Sequence, residues 1–330
     1  MSRLSLFTLV LSIGCGGDDP PGEAWQLLTD AEPAALLSVW GTDAEDVWVT
    51  GGRSELAGAP TLLHLEAGTW SRVDSGQTGI DLWWAFGVPG STTVYLGGSG
   101  GTILRSVAGG RFEKMITPRA DGIVFGIWGV ADDDLWAVGD GGNAGAIVWR
   151  YDGTSWTAVT LPANVPSRVF KVNGQASDDV WISCSDGVIL RWQGTSIERT
   201  TAGVPAPLFS IVTTPSVTVA VGGSAGDGAI VEHDGTGWTR VSLASPVAWR
   251  GAAARGDVVF AVGEDGIVGT RAGGGWSVVT QPVTQGDFHA AWVDPDGGLW
   301  GVGGDFQRAP LTAEGFLTYF GTSSPEEVSR

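Results

Sequence analysis

Seven short apolar runs closing on small residues recur along the chain at nearly constant spacing: DVWVTGG, TVYLGGS, DLWAVGD, DVWISCS, VTVAVGG, VVFAVGE and GLWGVGG. Their central large residues are Trp48, Tyr95, Trp136, Trp181, Val219, Phe260 and Trp300, with successive differences of 47, 41, 45, 38, 41 and 40 residues. A repeat of about 40–45 residues is the length of a four-stranded propeller blade. Each run reads as the second strand, b, of one unit. Strand a precedes it (SVWG at 38–41, GIWG at 126–129, AAWV at 290–293), and the turn between them is small and acidic: TDAED, ADDD, ASDD or DPDGG. Asp and Gly suit such turns because the carboxylate hydrogen-bonds the local backbone and glycine accepts positive φ.

A Gly-rich turn then leads to strand c, as in TLLHLE, TILRSV, AIVWRY, VILRWQ and AIVEHD. Strand d follows, carrying Trp70, Phe112, Trp156, Ile197, Trp238, Trp276 or Phe316. Beyond the N-terminal segment no stretch shows helical periodicity. One blade cannot bury both faces of its sheet, whereas seven stacked in a ring cover each other. The expected fold is therefore all-β, a seven-bladed β-propeller of four-stranded antiparallel blades over residues 36–320, with a polar tail at 321–330. The closing strand is open at this point. EAWQLL around Trp25 also has the strand-d pattern, so either it or the Phe316 segment completes the last blade.

The N-terminus carries Arg3, an apolar run over residues 4–13, Gly14 and Cys15. That run is too short to span a bilayer and reads as a secretory signal over residues 1–14. LSIGC resembles the lipobox of bacterial lipoproteins, with Leu11 one position further from the cysteine than is usual. This resemblance implies acylation of Cys15, export, and a lipid anchor at the bacterial cell envelope, in the outer membrane. GGDDPPGE then reads as a flexible tether, within a 15–35 segment ending in the Trp25 strand-like piece. The other cysteine, Cys184, stands where sister repeats carry Gly and reads as a small buried thiol.

The net charge is -18. Such a chain repels phosphate backbones and anionic headgroups, so nucleic acid is not an expected partner and membrane contact is expected only through the lipid. No cofactor pattern is present in the sequence.

Motifs for chemistry are weak in their context. GGSGG around Ser99 and GGSAG around Ser224 match a nucleophile elbow formally, but that device needs a following helix, and both fall in b-to-c turns. Asp152, Gly153 and Trp156, repeated as Asp234, Gly235 and Trp238, look like a sialidase Asp-box with one residue missing between Asp and Gly. A sialidase would also need a Tyr nucleophile among convergent Arg and acid groups. Tyr95 and Tyr151 fall on strand b and at the end of strand c. His64, His233 and His289 are scattered, and the acidic turns at 132–134 and at Asp294 and Asp296 lack calcium-loop spacing, so they read as solvated carboxylates with no bound metal.

Propeller ligands usually sit on the face of the b-to-c and d-to-a loops. Aligning the start of strand a gives Leu37, Trp83, Phe125, Phe170, Phe209, Trp249 and His289, a row expected to pack between blades. The next position, Ser38, Trp84, Gly126, Lys171, Ser210, Arg250 and Ala290, breaks the repeat's uniformity. Trp84, Lys171, Arg250 and His289, with Arg119 and Arg168 in the preceding loops, are therefore the candidate ligand-binding residues. Aromatic faces stack on apolar or sugar groups and Arg forks hold carboxylates.

SVWG, the acidic turn, the DVWAVG-like strand and YDGTSW together resemble the Trp- and Gly-rich repeat lipoproteins of myxobacteria and similar Gram-negative bacteria, with BNR-, Kelch- and WD40-like architecture. The resemblance covers residues 36–320 and implies fold and surface location. The function expected is a non-catalytic, monomeric module of the cell envelope that binds a protein. A lectin-like module binding a glycan and a sialidase-like or other envelope hydrolase or lyase are the alternatives.

Overall fold

The computed structural model describes residues 23–54, 58–243, 247–279, 284–306, 313–323 and 325–329. The 1–14 signal and Cys15 lie outside them. Seven four-stranded antiparallel sheets form the ring. Six are consecutive hairpins over residues 36–72, 82–114, 123–158, 169–201, 208–240 and 249–278, numbered here as blades 1 to 6. Blade 7 draws on both ends of the chain: its order from the channel outward is Phe288–Val293, Leu299–Asp305, Ala313–Gly321 and Ala24–Glu32.

The closing strand is thus the Trp25 segment, and Phe316 lies on strand c of blade 7 instead of strand d as its sequence pattern suggested. The reason is geometric. Phe316 packs at 5.2 Å from Phe288 and leaves the outer edge of Ala313–Gly321 free to pair with Ala24–Glu32. Ala24 opposes Gly321 and Glu32 opposes Gly315, so the chain enters the ring at the a-to-b turn face. The blade 7 to blade 1 seam is tied further. Glu32, 3 % exposed, accepts from both Nη atoms of Arg72 at 2.9 and 2.7 Å. The C-terminal tail crosses the same seam: Glu326 O accepts from Trp70 Nε1 at 2.8 Å, and Val328 packs on the cluster around Leu28 and Trp300.

The D-V-W signature has a local explanation. Residues two apart on a strand share a face, so Asp and Trp stand side by side. Across the ladder, strand c places a basic residue opposite the Trp: His64 against Trp48, Arg150 against Trp136, Arg191 against Trp181. The basic group bonds the Asp and covers the indole. His64 reaches Asp46 at 2.7 Å and stacks 3.7 Å above Trp48, while Arg191 reaches Asp179 at 2.9 Å and lies 4.3 Å above Trp181. Blade 5 departs from this. Val219 opposes Glu232, which turns to the next blade and accepts from Arg271 Nε at 2.8 Å and Trp276 Nε1 at 2.6 Å.

The small residues closing each strand b make room for a second repeated feature. Strand a carries a β-bulge at the same place in all seven blades, skipping Leu37, Trp83, Phe125, Phe170, Phe209, Arg250 and His289. The residue paired just before each bulge is Gly51, Gly98, Gly139, Cys184, Gly222, Gly263 or Gly303. A Cβ would lie 2.6 Å from Ala35 O at Gly51 and 2.7 Å from Asp81 O at Gly98, inside contact distance. Cys184 is the exception, fully buried, with its thiol pushed up by burial.

Candidate functional site

A bulge turns its extra residue away from the ladder and re-aims it. Repeated seven times on the innermost strands, it points one side chain per blade at the neck of the central channel. Of the row expected to pack between blades, Leu37 is fully buried against Trp83 and Phe306, while Trp83, Phe125, Phe170, Phe209 and His289 form instead a collar across the channel. Its rings meet in sequence: Trp83 to Phe125 at 5.0 Å, Phe125 to Phe170 at 6.1 Å and Phe170 to Phe209 at 5.1 Å. The Arg250 guanidinium covers Phe209 at 4.4 Å and Phe306 at 5.6 Å, Phe306 meets His289 at 4.8 Å, and His289 returns to Trp83 at 5.7 Å.

Blade 6 corrects the sequence alignment by one residue. Its bulge residue is Arg250; Trp249 is buried among Val219, Val259 and Trp276, and Gly251 takes the following position. Phe306, from the b-to-c loop of blade 7, completes the collar and carries no repeat signal in the sequence.

The collar encloses a cavity of about 150 Å³ lined by Trp83, Phe125, Phe170, Lys171, Phe209, Arg250, His289 and Phe306. Beyond it the channel widens to about 550 Å³, with Trp84, Lys171, Asn173 and Ser210 among its walls. Lys171 lines both spaces. It is 6 % exposed, its Nζ donates to Phe125 O at 2.6 Å and stands 3.7 Å above the Trp84 ring. A blade 4 residue thereby touches blades 3 and 2. Gly126 occupies the same row in blade 3 and lets the backbone of the next blade pack close: a Cβ there would stand 3.3 Å from Phe170 O and 3.4 Å from Lys171 Cα. Trp84 is oriented by its Nε1 donating to Ile127 O at 2.9 Å. Burial holds the Lys171 ammonium well below its ordinary pKa.

Arg250 is already engaged. Its Nε reaches Glu264 Oε1 at 3.1 Å and its Nη2 bonds the same oxygen. Arg119 and Arg168 lie outside the cavity walls. Arg119 forks onto Asp121 at 2.6 and 2.9 Å and donates to Gly141 O at 2.9 Å, tying two loops. Arg168 reaches Asp140 at 3.0 Å on the neighbouring blade. The channel therefore gathers Trp84, Lys171, Arg250 and His289, and it leaves Arg119 and Arg168 in the loops between blades.

His289 Nδ1 donates to Leu37 O at 2.5 Å, leaving Nε2 free to accept. Its pKa falls from 6.5 to about 3, through burial first and the Lys171 charge second. A base depressed in the folded state binds fewer protons there than in the unfolded chain. Its contribution is complete above pH 6.5 and is lost as pH falls toward 3, with a slope of up to ~1.4 kcal/mol per pH unit. His289→Gln is expected to flatten this part of the stability curve, measured as denaturation midpoints between about pH 4 and pH 7. Parallel curves for the two proteins would show that His289 titrates normally.

The formal hydrolase motifs are turns. Ser99 bridges Ile123, Ser224 pairs with Asp227 across a two-residue hairpin, and a strand follows each. Asp152 Oδ1 accepts from Thr154 N, Thr154 Oγ1 and Ser155 N at 2.9, 2.7 and 2.8 Å, which holds its carboxyl at about 2 and marks it as a turn brace. One acidic turn differs from the solvated carboxylates expected: Asp294 is fully buried, whereas Asp132 stays exposed while accepting from Ser91 Oγ at 2.6 Å and from the Tyr95 hydroxyl at 3.2 Å.

Fold and collar together define a seven-bladed β-propeller with a narrow, aromatic-lined channel mouth. No protein-family model matches the sequence, and no curated protein matches it. Solved structures match the fold. Virginiamycin B lyase from Staphylococcus aureus superposes with a TM-score of 0.71 at 14% identity, over 90% of this chain and 99% of that one. YCF48 bound to D1 peptide gives 0.67 at 16%, over 94% and 100%. The WD40 propeller domain of Doa1 gives 0.66 at 16%, over 91% and 98%. At such identities the likeness is one of architecture, and function has to be argued from the site.

Proposed function

We propose that this chain is a non-catalytic binding module of the bacterial cell envelope, held by a lipid on Cys15, and that an envelope protein engages its collar face. The observation carrying this reading is the ring of Trp83, Phe125, Phe170, Phe209, Phe306 and His289, closed by Arg250 between Phe209 and Phe306, around the channel mouth. Aromatic and Arg side chains over a pocket are what protein-binding surfaces concentrate. YCF48, one of the propellers of similar fold, is solved with a D1 peptide.

The direction of the chain supports presentation. Ala24 enters blade 7 at the a-to-b turn face, opposite the collar, which is compatible with an anchor on Cys15 that leaves the collar open to a partner. The lipoprotein resemblance of the repeats fits the same location. A glycan-binding surface is the weaker reading, because sugar rings stack on open aromatic faces, and none of the 17 Trp residues is exposed.

The test places a photo-cross-linking residue at Phe306 in the collar, or at Asp43 on the opposite face, in cells producing the full chain. A discrete protein adduct from Phe306 and none from Asp43 is expected. Adducts from neither position, or from Asp43 alone, reject the collar as the binding face. Cys15→Ala should in parallel move the protein from the membrane fraction to the soluble one; an unchanged distribution rejects the anchor.

A further inference from the structure

The Lys171 ammonium is a buried cation facing an apolar cavity, and among the described residues no carboxylate lies within ion-pair distance of it. Buried charges are ordinarily paired. One of its three N–H groups is committed to Phe125 O, and the Trp84 face supplies a cation–π contact. Neither is an anion. The other cation at the neck, Arg250, already has Glu264. The protein as a whole carries a charge of -18, so a lone uncompensated cation in its channel reverses the sign of its surroundings.

We propose that the channel neck binds a monocarboxylate borne on a compact apolar body, with the carboxylate on Lys171 Nζ and the apolar part inside the ring of Trp83, Phe125, Phe170 and Phe209. This deepens the preceding reading and rests on its choice of the collar as the recognition face. Size and charge both set the class. The collar cavity holds about 150 Å³, and an apolar cavity on the order of 150 Å³ takes a benzene-sized group. One available positive charge matches one negative charge, which disfavours phosphate or sulfate dianions among apolar walls. Two sources share this chemistry: a free small acid, and the C-terminal residue of a polypeptide with an apolar side chain.

Affinity should depend on pH with a defined sign. The ammonium must be protonated to hold the carboxylate, and burial lowers its pKa in the empty site. Binding is then complete between the ligand carboxyl's own pKa, about 4, and that of the lysine, and weakens up to about tenfold per unit as pH rises past the latter. The other groups at the neck leave the sign unchanged: His289 from blade 7 stays neutral down to about pH 3, Arg250 from blade 6 is paired with Glu264, and Trp84, Phe125 and Ser210 from blades 2, 3 and 5 do not titrate in this range.

Calorimetric titration of the full chain tests the site with benzoate, its neutral isostere benzamide, N-acetyl-L-phenylalanine and the corresponding amide. Benzoate is expected to bind at least about tenfold more tightly than benzamide, a preference equal to one ion pair in a dry site. Lys171→Met should abolish that preference with a thermal midpoint at or above wild type, since it removes a buried charge and leaves no unpaired counter-charge, only the Phe125 carbonyl without that donor. Binding of N-acetyl-L-phenylalanine but not its amide assigns the site to chain ends; binding of benzoate alone assigns it to free acids. Equal affinities for benzoate and benzamide, a preference that survives in Lys171→Met, no benzoate binding, or affinity rising with pH above about pH 5, where the ligand is fully ionised, would each overturn the proposal. The wild-type pH series stands even where the variant folds poorly. A Phe306 adduct that still forms under saturating benzoate and in Lys171→Met leaves the protein-binding reading intact while separating it from this site; benzoate binding with no adduct does the reverse.

Discussion

Trp136→Ala is expected to destabilise the propeller by about 3–5 kcal/mol, the range for truncating a fully buried aromatic. The indole is 0 % exposed in the cluster shared by blades 3 and 4, among Val138, Val148, Val169, Ile182 and Leu190, and its ring lies 5.4 Å from Trp192. Arg150 spans both indoles at 5.6 and 5.7 Å while bonding Asp134. Removing Trp136 therefore opens a cavity between blades and takes away one of the two faces on which that guanidinium rests. Chemical denaturation of the variant is the measurement, and a midpoint equal to wild type would mean that Trp136 contributes nothing to the inter-blade core. Trp136→Phe should recover most of the loss, because its indole N–H has no hydrogen-bond partner to forfeit.

The comparison with blade 5 shows why the anchors were legible and the site was not. Blades must repeat the contacts that let them stack, so the anchor recurs even where Val219 replaces the aromatic and an ion pair from Glu232 to Arg271 takes over. Spacing alone therefore counted the blades. Closure was illegible because Phe316 on strand c and Trp25 on strand d carry the same aromatic pattern, and only pairing across the whole chain separates them. The collar row was misaligned by one residue in blade 6 because its strand a carries Ala253, not the Trp of blades 1, 3 and 7, opposite the anchor Phe260, while the aromatic Trp249 stands one residue before the bulge. The paired small residues closing each strand b were its visible trace. Lys171 and Trp84 stood out as irregular positions, but their contact skips the intervening blade 3, a relation no local pattern encodes.

Asp294 is the second position of large expected effect, and it shows how one acidic turn differs from its sisters. Its Oδ1 accepts from Asp296 N at 2.9 Å and Gly298 N at 2.8 Å, and its Oδ2 from Trp300 Nε1 at 3.0 Å; the carboxylate and the last two bonds are buried. Asp294→Ala leaves two of these donors buried and unmet, at about 1–3 kcal/mol each, so a loss of about 3 kcal/mol is expected. Asp294→Asn keeps an acceptor for the two backbone N–H groups but turns a donor toward the Trp300 N–H, and should fall between. The decisive comparison is a double-mutant cycle. Trp300→Phe removes the indole N–H, so the cost of Asp294→Ala should shrink in that background by about 1–2 kcal/mol, as it does for groups in one hydrogen-bond network. Additive losses would mean that the carboxylate acts on the turn backbone alone. Because Trp300 is the blade 7 anchor and also packs against Trp70 of blade 1 at 6.5 Å, coupling would show that this turn helps to lock the seam at which the two ends of the chain close the ring.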